Sequence, residues 1–288
     1  MLYITHPLNG ILMLAIPIGL GIYLTCRFRL SWRLWWIGAI TFVLSQVGHI
    51  PFNFGIDYLF KHGILPLPPV SWRLPVNSII LGLSAGIWEE SFRYIAYRWW
   101  AKEARSWRKA LLLGAGHGGI EAILLGSLVI LSYFQMLALQ GVDPAKVASA
   151  EQAQILEAVT SQYWSIPWYA SLLGAVERIF AIVTHLALSV LVWQVFRRLQ
   201  SRWLWLAIGW HALLNAGAVY AAHTWGAFQA EGILACAALI DLAIISALRP
   251  SDAEIAPLEI TPPSPQPVRP VIKEIEETPE NIEQTRYN

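Results

Sequence analysis

Charge is what this chain lacks most. Asp, Glu, Lys and Arg make up 14% of its 288 residues, against about 25% in a typical soluble domain. So little charge cannot cover a globule with a solvated surface, which excludes a soluble fold. Cysteine is also scarce. Cys26 and Cys236 are the only two, and each sits in an apolar run. They make neither a disulfide framework nor a cysteine-based zinc site, and they read as small apolar fillers. A net charge of +1 gives no basic field, so no nucleic-acid partner is expected. No Lys or Arg lies between Met1 and Asn9. A cleavable signal peptide starts basic, so the first apolar run is expected to remain as a permanent span. No HExxH string occurs, which removes the usual mark of a helix-borne zinc protease. No internal repeat is visible.

What the chain has is apolar length. Hydrophobic residues reach 56%, with 15 Trp, a residue that collects at membrane interfaces. About 20 apolar residues cross the hydrocarbon core. Seven runs approach or exceed that length: 8–26, 34–50, 76–97, 110–139, 168–196, 203–225 and 227–248. The expected fold is all-α, a polytopic integral membrane helical bundle of about seven transmembrane helices over residues 1–249. Arg27, Arg29 and Arg33 follow span one. Arg98, Lys102, Arg105, Arg108 and Lys109 follow span three. Arg197, Arg198 and Arg202 follow span five, and Arg249 follows span seven. The alternate loops hold only Lys61, Arg73 and Lys146. Lys and Arg accumulate on the cytoplasmic side, which places the N-terminus outside and the C-terminus in the cytoplasm. The outer stretch 145–162 has the mixed pattern of a short surface helix. Residues 250–288 are rich in Pro and Glu and cannot bury enough apolar surface to offset ordering entropy. They are expected to form a disordered cytoplasmic tail without chemistry.

A charge at mid-bilayer costs about 2.5–3.5 kcal/mol on the insertion scale, so the polar residues inside the spans mark function. Span three carries Glu89, Glu90 and Arg93. Both carboxylates lie within reach of the guanidinium at helical spacing. One can pair with Arg93, leaving the other for acid–base work. Span four carries His117 and Glu121, four apart, among Gly114, Gly116, Gly118 and Gly119. A carboxylate beside an imidazole can orient the ring. The glycines serve either close helix approach or space for a ligand. Span five carries His185, with Glu177 and Arg178 nearer its outer end; these two read first as structural. Span six carries His211 and Asn215, again four apart, and the amide can support an oxyanion or fix the imidazole tautomer. Measured from the cytoplasmic span ends, Glu89, His117, His185 and His211 all lie roughly 10–16 Å deep at about 1.5 Å per residue. Four helices therefore bring polar groups to one level.

These strings resemble a known family. Glu89-Glu90-x-x-Arg93-Tyr94, Gly116-His117-Gly118-Gly119-Ile120-Glu121, His185 followed by Leu-Ala-Leu-Ser, and His211-x-x-x-Asn215 are similar to the YhfC-type intramembrane metalloproteases. That group is related to the CAAX-prenyl-protease and bacteriocin-processing clan, also called Abi or CPBP. The resemblance covers spans three to six well and spans one, two and seven loosely. It implies that Glu89, Glu90 and His185 activate water, and that His211 with Asn215 stabilises the oxyanion or completes the site. There are departures. Two residues separate Glu90 from Arg93 where the clan usually has three. Many relatives have Asp where this chain has Asn215, which excludes any role needing charge there. His117 and Glu121 are a YhfC-type feature with no role supplied by the clan.

The expectation is therefore an intramembrane endopeptidase acting on a membrane-embedded or membrane-proximal peptide near the cytoplasmic face of a bacterial-type plasma membrane. Its catalytic set is Glu89, Glu90, Arg93, His117, Glu121, His185, His211 and Asn215. Zinc is the candidate metal, with His117, His185 and His211 as ligands; a metal-free glutamate mechanism stays open. The alternatives are a transporter or proton-coupled carrier using the same Glu/His cluster, and a haem-binding membrane protein. A non-catalytic member that binds partner helices is also conceivable.

Overall fold

The computed structural model describes residues 1–143 and 149–250. Eight α-helices make up this part, with no strand among the described residues. They are α1 (Leu2–Phe28), α2 (Arg33–Lys61), α3 (Val70–Ile95), α4 (Trp107–Leu139), α5 (Ala150–Ser165), α6 (Leu173–Arg198), α7 (Arg202–Thr224) and α8 (Ala227–Ala247). A π-helical turn, Ala96–Trp100, continues α3, and a short 3₁₀ turn, Ala170–Leu172, leads into α6. The chain is a polytopic helical membrane bundle. Six helices (α1, α2, α4, α6, α7, α8) are long and apolar enough to cross a bilayer. The remaining long helix, α3, is the one that carries Glu89, Glu90 and Arg93. Its 26 residues are ample for a span, and these buried charges lower its apolarity. The tail from Pro250 lies, from residue 251 onward, outside the described residues.

The loop between α4 and α6 contains α5, an amphipathic helix with no buried residue. Ser149 caps its start by accepting from the Gln152 amide, as N-cap serines do. Its aromatic end docks on α1 and α4. The Tyr163 ring stacks on His6 at 4.1 Å, and Trp164 packs against Tyr3 and Tyr133. Exposed Trp residues gather near both ends of the bundle, with Trp36, Trp99, Trp100 and Trp205 at the basic end and Trp72, Trp168 and Trp225 at the other. This is the distribution of interfacial aromatics.

Hydrocarbon does not drive apolar helices together, so close backbone approach has to hold them. Small residues supply it at three crossings. A Cβ on Gly116 of α4 would fall 1.9 Å from the Trp35 carbonyl oxygen of α2, and one on Gly38 of α2 would fall 2.1 Å from the Leu113 carbonyl oxygen. Gly82 and Gly86 bring α3 against α7 at Ala212 and Ile208. Gly114 and Gly118 bring α4 against the backbone and ring of His185 on α6. The glycine run is therefore a packing device, and α4 is unbroken through it. Below these crossings, toward the basic end, Leu112, Leu113, Leu188, Val190, Leu191 and Trp193 form a dense apolar layer with Tyr97. The crossings fix α3, α4, α6 and α7 at the level where the polar residues project.

Candidate active site

The predicted polar residues of α3, α4, α6 and α7 meet in one buried cluster. Glu90, Arg93 and His117 are fully buried, and Glu89, His185 and His211 are nearly so. Arg93 donates through Nε to Glu90 Oε2 at 2.9 Å and through Nη2 to Glu90 Oε1 at 3.2 Å. It also donates to His185, to Nδ1 at 3.0 Å and to the carbonyl at 3.4 Å. A guanidinium only donates, so His185 Nδ1 accepts and its Nε2 carries the proton. That N–H donates to Glu121 Oε2 at 2.8 Å. Glu121 Oε1 in turn accepts from Arg178 Nη1 at 2.6 Å, and Arg178 also pairs with Glu177.

His211 and His117 sit differently. His211 Nδ1 lies 2.9 Å from Glu90 Oε1. As the donor to that carboxylate, Nδ1 keeps its proton, and Nε2 lies 3.9 Å from Glu89 Oε2. His117 Nε2 lies 3.1 Å from the same Glu89 oxygen, and its Nδ1 is buried without a partner among the described residues. Glu89 thus faces two imidazoles and no guanidinium, whereas Glu90 and Glu121 each have an arginine. A cavity of about 90 Å³ opens here, lined by Glu89, Glu121, His185, His211 and Asn215 among others.

Several expected pairings are changed. His117 and Glu121, one turn apart on α4, do not pair with each other; each reaches across to another helix, His117 to α3 and Glu121 to α6. Arg178 is the partner that neutralises Glu121. Asn215 lines the cavity without a hydrogen bond among the described residues. The two cysteines are exposed on the outer surface, not packed inside. The sequence reading also misses three residues of the cluster. Gln46 and His49 of α2 connect to Glu89. Asp241 of α8, fully buried, accepts from Thr184 at 2.6 Å and Trp210 at 2.7 Å. Their signal is a polar residue inside an apolar run, the same signal that marks Glu89.

A metal fits part of this donor set. Glu89, His117 and His185 each offer an atom within 4.8 Å of the others, which replaces His211 by Glu89 in the expected three-histidine set. The 3.1 Å between Glu89 Oε2 and His117 Nε2 is close to a tetrahedral edge built on zinc–ligand bonds of about 2.0–2.1 Å. His185 fits less well, because both its nitrogens are engaged. His211 gives its Nδ1–H to a carboxylate, as metal-binding histidines do, and has Nε2 3.9 Å from Glu89 Oε2.

A family model described as YhfC intramembrane metalloprotease matches residues 12–236. The chain belongs to this family. It is 30% identical over 247 residues to a Bacillus subtilis (strain 168) protein described as "Uncharacterized membrane protein YhfC", a match covering 84% of this chain and 91% of that relative. No solved structure matches. The family match begins within α1 and ends within α8, so it takes in the cluster residues of α2, α3, α4, α6 and α7 and stops short of Asp241.

Proposed function

We propose that the chain is an intramembrane endopeptidase of the CAAX-protease type. It hydrolyses a peptide bond of a membrane-embedded or membrane-proximal substrate in the cytoplasmic half of a plasma membrane, with its C-terminus in the cytoplasm. The observation that carries this reading is Glu89. It is buried at a cavity, bonded to His117 and Gln46 with His211 Nε2 at 3.9 Å, and, unlike Glu90 and Glu121 beside it, has no guanidinium partner among the described residues.

Peptide hydrolysis needs a base for water, a proton donor for the leaving amine and donors for the oxyanion. Glu89 takes the proton from water as the oxygen attacks the carbonyl carbon. The same carboxyl group then returns that proton to the leaving nitrogen as the C–N bond breaks. Asn215, one turn from His211 and on the cavity wall, supplies an amide N–H to the developing oxyanion. Glu90 and Arg93 hold His211 and His185 in fixed tautomers from behind. Glu89, His117 and His185 or His211 would hold a zinc ion, which supplies Lewis-acid polarisation of the carbonyl when bound. Glu89 as ligand and Glu89 as base exclude one another, and metal content separates the two. Two alternatives are weakened by the structure. A carrier of this kind uses interrupted helices at its site, and α4 is continuous there. Haem ligation at this cluster would use histidines alone and leaves the buried Glu89 at the cavity without a role.

The test compares peptides released from membranes carrying wild type and Glu89→Gln, by mass spectrometry, with zinc measured on the purified proteins. Products made only by wild type are expected. Identical peptide sets would overturn the protease reading. Near one equivalent of zinc, lost in His117→Ala, assigns the metal-dependent form. No zinc in wild type purified without chelator assigns the glutamate form.

A further inference from the structure

We propose that Gln46 of α2 is a positioning residue for Glu89, held in place by His49, so that α2 joins α3, α4, α6, α7 and α8 in building the site. This rests on the reading that Glu89 does the chemistry. Gln46 donates from Nε2 to Glu89 Oε1 at 3.2 Å. Its Oε1 lies 3.1 Å from His49 Nδ1, and His49 Nε2 lies 3.1 Å from the Ser84 hydroxyl of α3. The direction of these bonds follows from donor chemistry. A carboxylate only accepts, so Gln46 must present its NH₂ group to Glu89. Its carbonyl oxygen is then left to accept, and His49 Nδ1–H is the donor. His49 therefore fixes which way round the amide sits.

The consequence is geometric. The last torsion of a Glu side chain is soft and broad, so a carboxylate tied at neither oxygen can swing. Gln46 ties Oε1, and this turns Oε2 toward His117 and His211. An amide does this without cancelling the negative charge, as Arg93 does for Glu90. A misplacement of about 1 Å at a reacting group can cost about 100-fold in rate. The backbone is arranged to bring α2 this close. Gly48, between Gln46 and His49, lies under the ring of Trp88, the neighbour of Glu89; a Cβ there would fall 2.2 Å from that ring.

The test uses the purified full chain in detergent and a hydrophobic carbodiimide, which modifies buried carboxyl groups, with the rate at each Glu read by peptide mass spectrometry. It compares wild type, Gln46→Leu and His49→Phe, and records each unfolding temperature. The expected result is labelling of Glu89 several-fold faster in Gln46→Leu, with a smaller increase in His49→Phe and unfolding temperatures within a few degrees of wild type. Glu90 and Glu121, each tied by a guanidinium, keep their wild-type rates. Where a cleaved peptide is in hand, kcat falls about 10–100-fold with KM unchanged. Equal Glu89 labelling in wild type and both variants overturns the proposal. So does a Gln46→Leu effect that spreads equally to Glu90 and Glu121, the mark of general loosening. Labelling does not depend on proteolysis. A labelling shift alongside unchanged cleavage by Glu89→Gln would therefore sustain the positioning role and sink the protease reading.

Discussion

Inside and outside, this bundle inverts the arrangement of a soluble protein. At the level of Glu89 the interior holds fully buried Glu90, Arg93, His117 and Asp241, while the outer surface exposes Ile22, Leu83, Leu213 and Leu239. On that surface hydrocarbon replaces water, so a large apolar side chain there costs nothing. The interior is different. Every carboxylate brought into it must meet a partner, because an unmatched charge has no solvent to accept it. Glu90 meets Arg93 on its own helix, and the rest of the network crosses between helices: Arg93 of α3 reaches His185 of α6, Arg178 of α6 reaches Glu121 of α4, and His211 of α7 reaches Glu90 of α3. The interior polar layer ties the helices together, and the apolar surface only has to be wide enough to meet lipid. Within that layer Glu89 and Asp241 are the exceptions, the two carboxylates with no guanidinium partner among the described residues.

The sharpest break of this contrast is Arg93→Leu. It leaves Glu90 buried without its guanidinium and removes two bonds to His185, so the expected loss is about 3–5 kcal/mol, read as a lowered unfolding temperature in detergent and poor yield. Adding Glu90→Leu should recover part of that loss, since two apolar groups of similar size need no partner. Glu89→Gln is the counterpart. It retains the hydrogen-bonding shape and removes no ion pair, so stability should change by less than about 1 kcal/mol while products vanish. Equal destabilisation by the two variants would mean that the arginine-paired and arginine-free parts of the layer do not differ.

The sequence shows the membrane bundle plainly, and it also shows which helices carry polar groups. Composition and run length suffice for the first, and the cost of intramembrane charge for the second. It does not show who pairs with whom. The i, i+4 spacing of His117 and Glu121 suggests one pair on one helix. Helix rotation instead sends the two side chains to different neighbours, and rotation is set by the glycine crossings of α4 with α2 and α6. Gly116 meeting a backbone carbonyl of α2 is a tertiary fact that one chain's periodicity does not contain. Gln46 and His49 escape for a related reason. Uncharged amides and lone histidines cost less in a bilayer than carboxylates, so they stand out less. Asp241 has no such excuse, since an Asp in span seven carries the same cost as Glu89.

Asp241 gives the next prediction. It joins α6 to α7 through Thr184 and Trp210, the residues just before His185 and His211. Asp241→Ala leaves a buried indole N–H without its acceptor, at about 1–3 kcal/mol. Asp241→Asn keeps a carbonyl oxygen for Trp210 and gains an NH₂ group that donates to the Thr184 oxygen, and should stay near wild type. Thermal unfolding of the two variants decides it. An Asn variant as damaged as the Ala variant would show that the charge, and not the clamp, is what the interior uses. Gly116→Ala belongs at the same scale. Its new methyl meets backbone rather than a movable side chain, so about 1–3 kcal/mol of overpacking is expected, and the same melting measurement reads it.

The smallest effect tests the outside. Cys26 and Cys236 are both exposed and unpaired, so Cys→Ser at either should move stability by no more than about 0.5 kcal/mol. Their depths differ. Cys26 lies in the last turn of α1, beside the basic loop, and Cys236 lies midway along the 21 residues of α8. Alkylation proceeds through the thiolate, which does not form in hydrocarbon. In proteoliposomes a water-soluble maleimide should therefore label Cys26 and spare Cys236, and detergent with a denaturant should expose both. Equal labelling of the two in intact vesicles would mean that the exposed flank of α8 meets water. The contrast between a polar interior and a lipid-facing surface would then fail at that helix, next to the cavity it lines through Leu234.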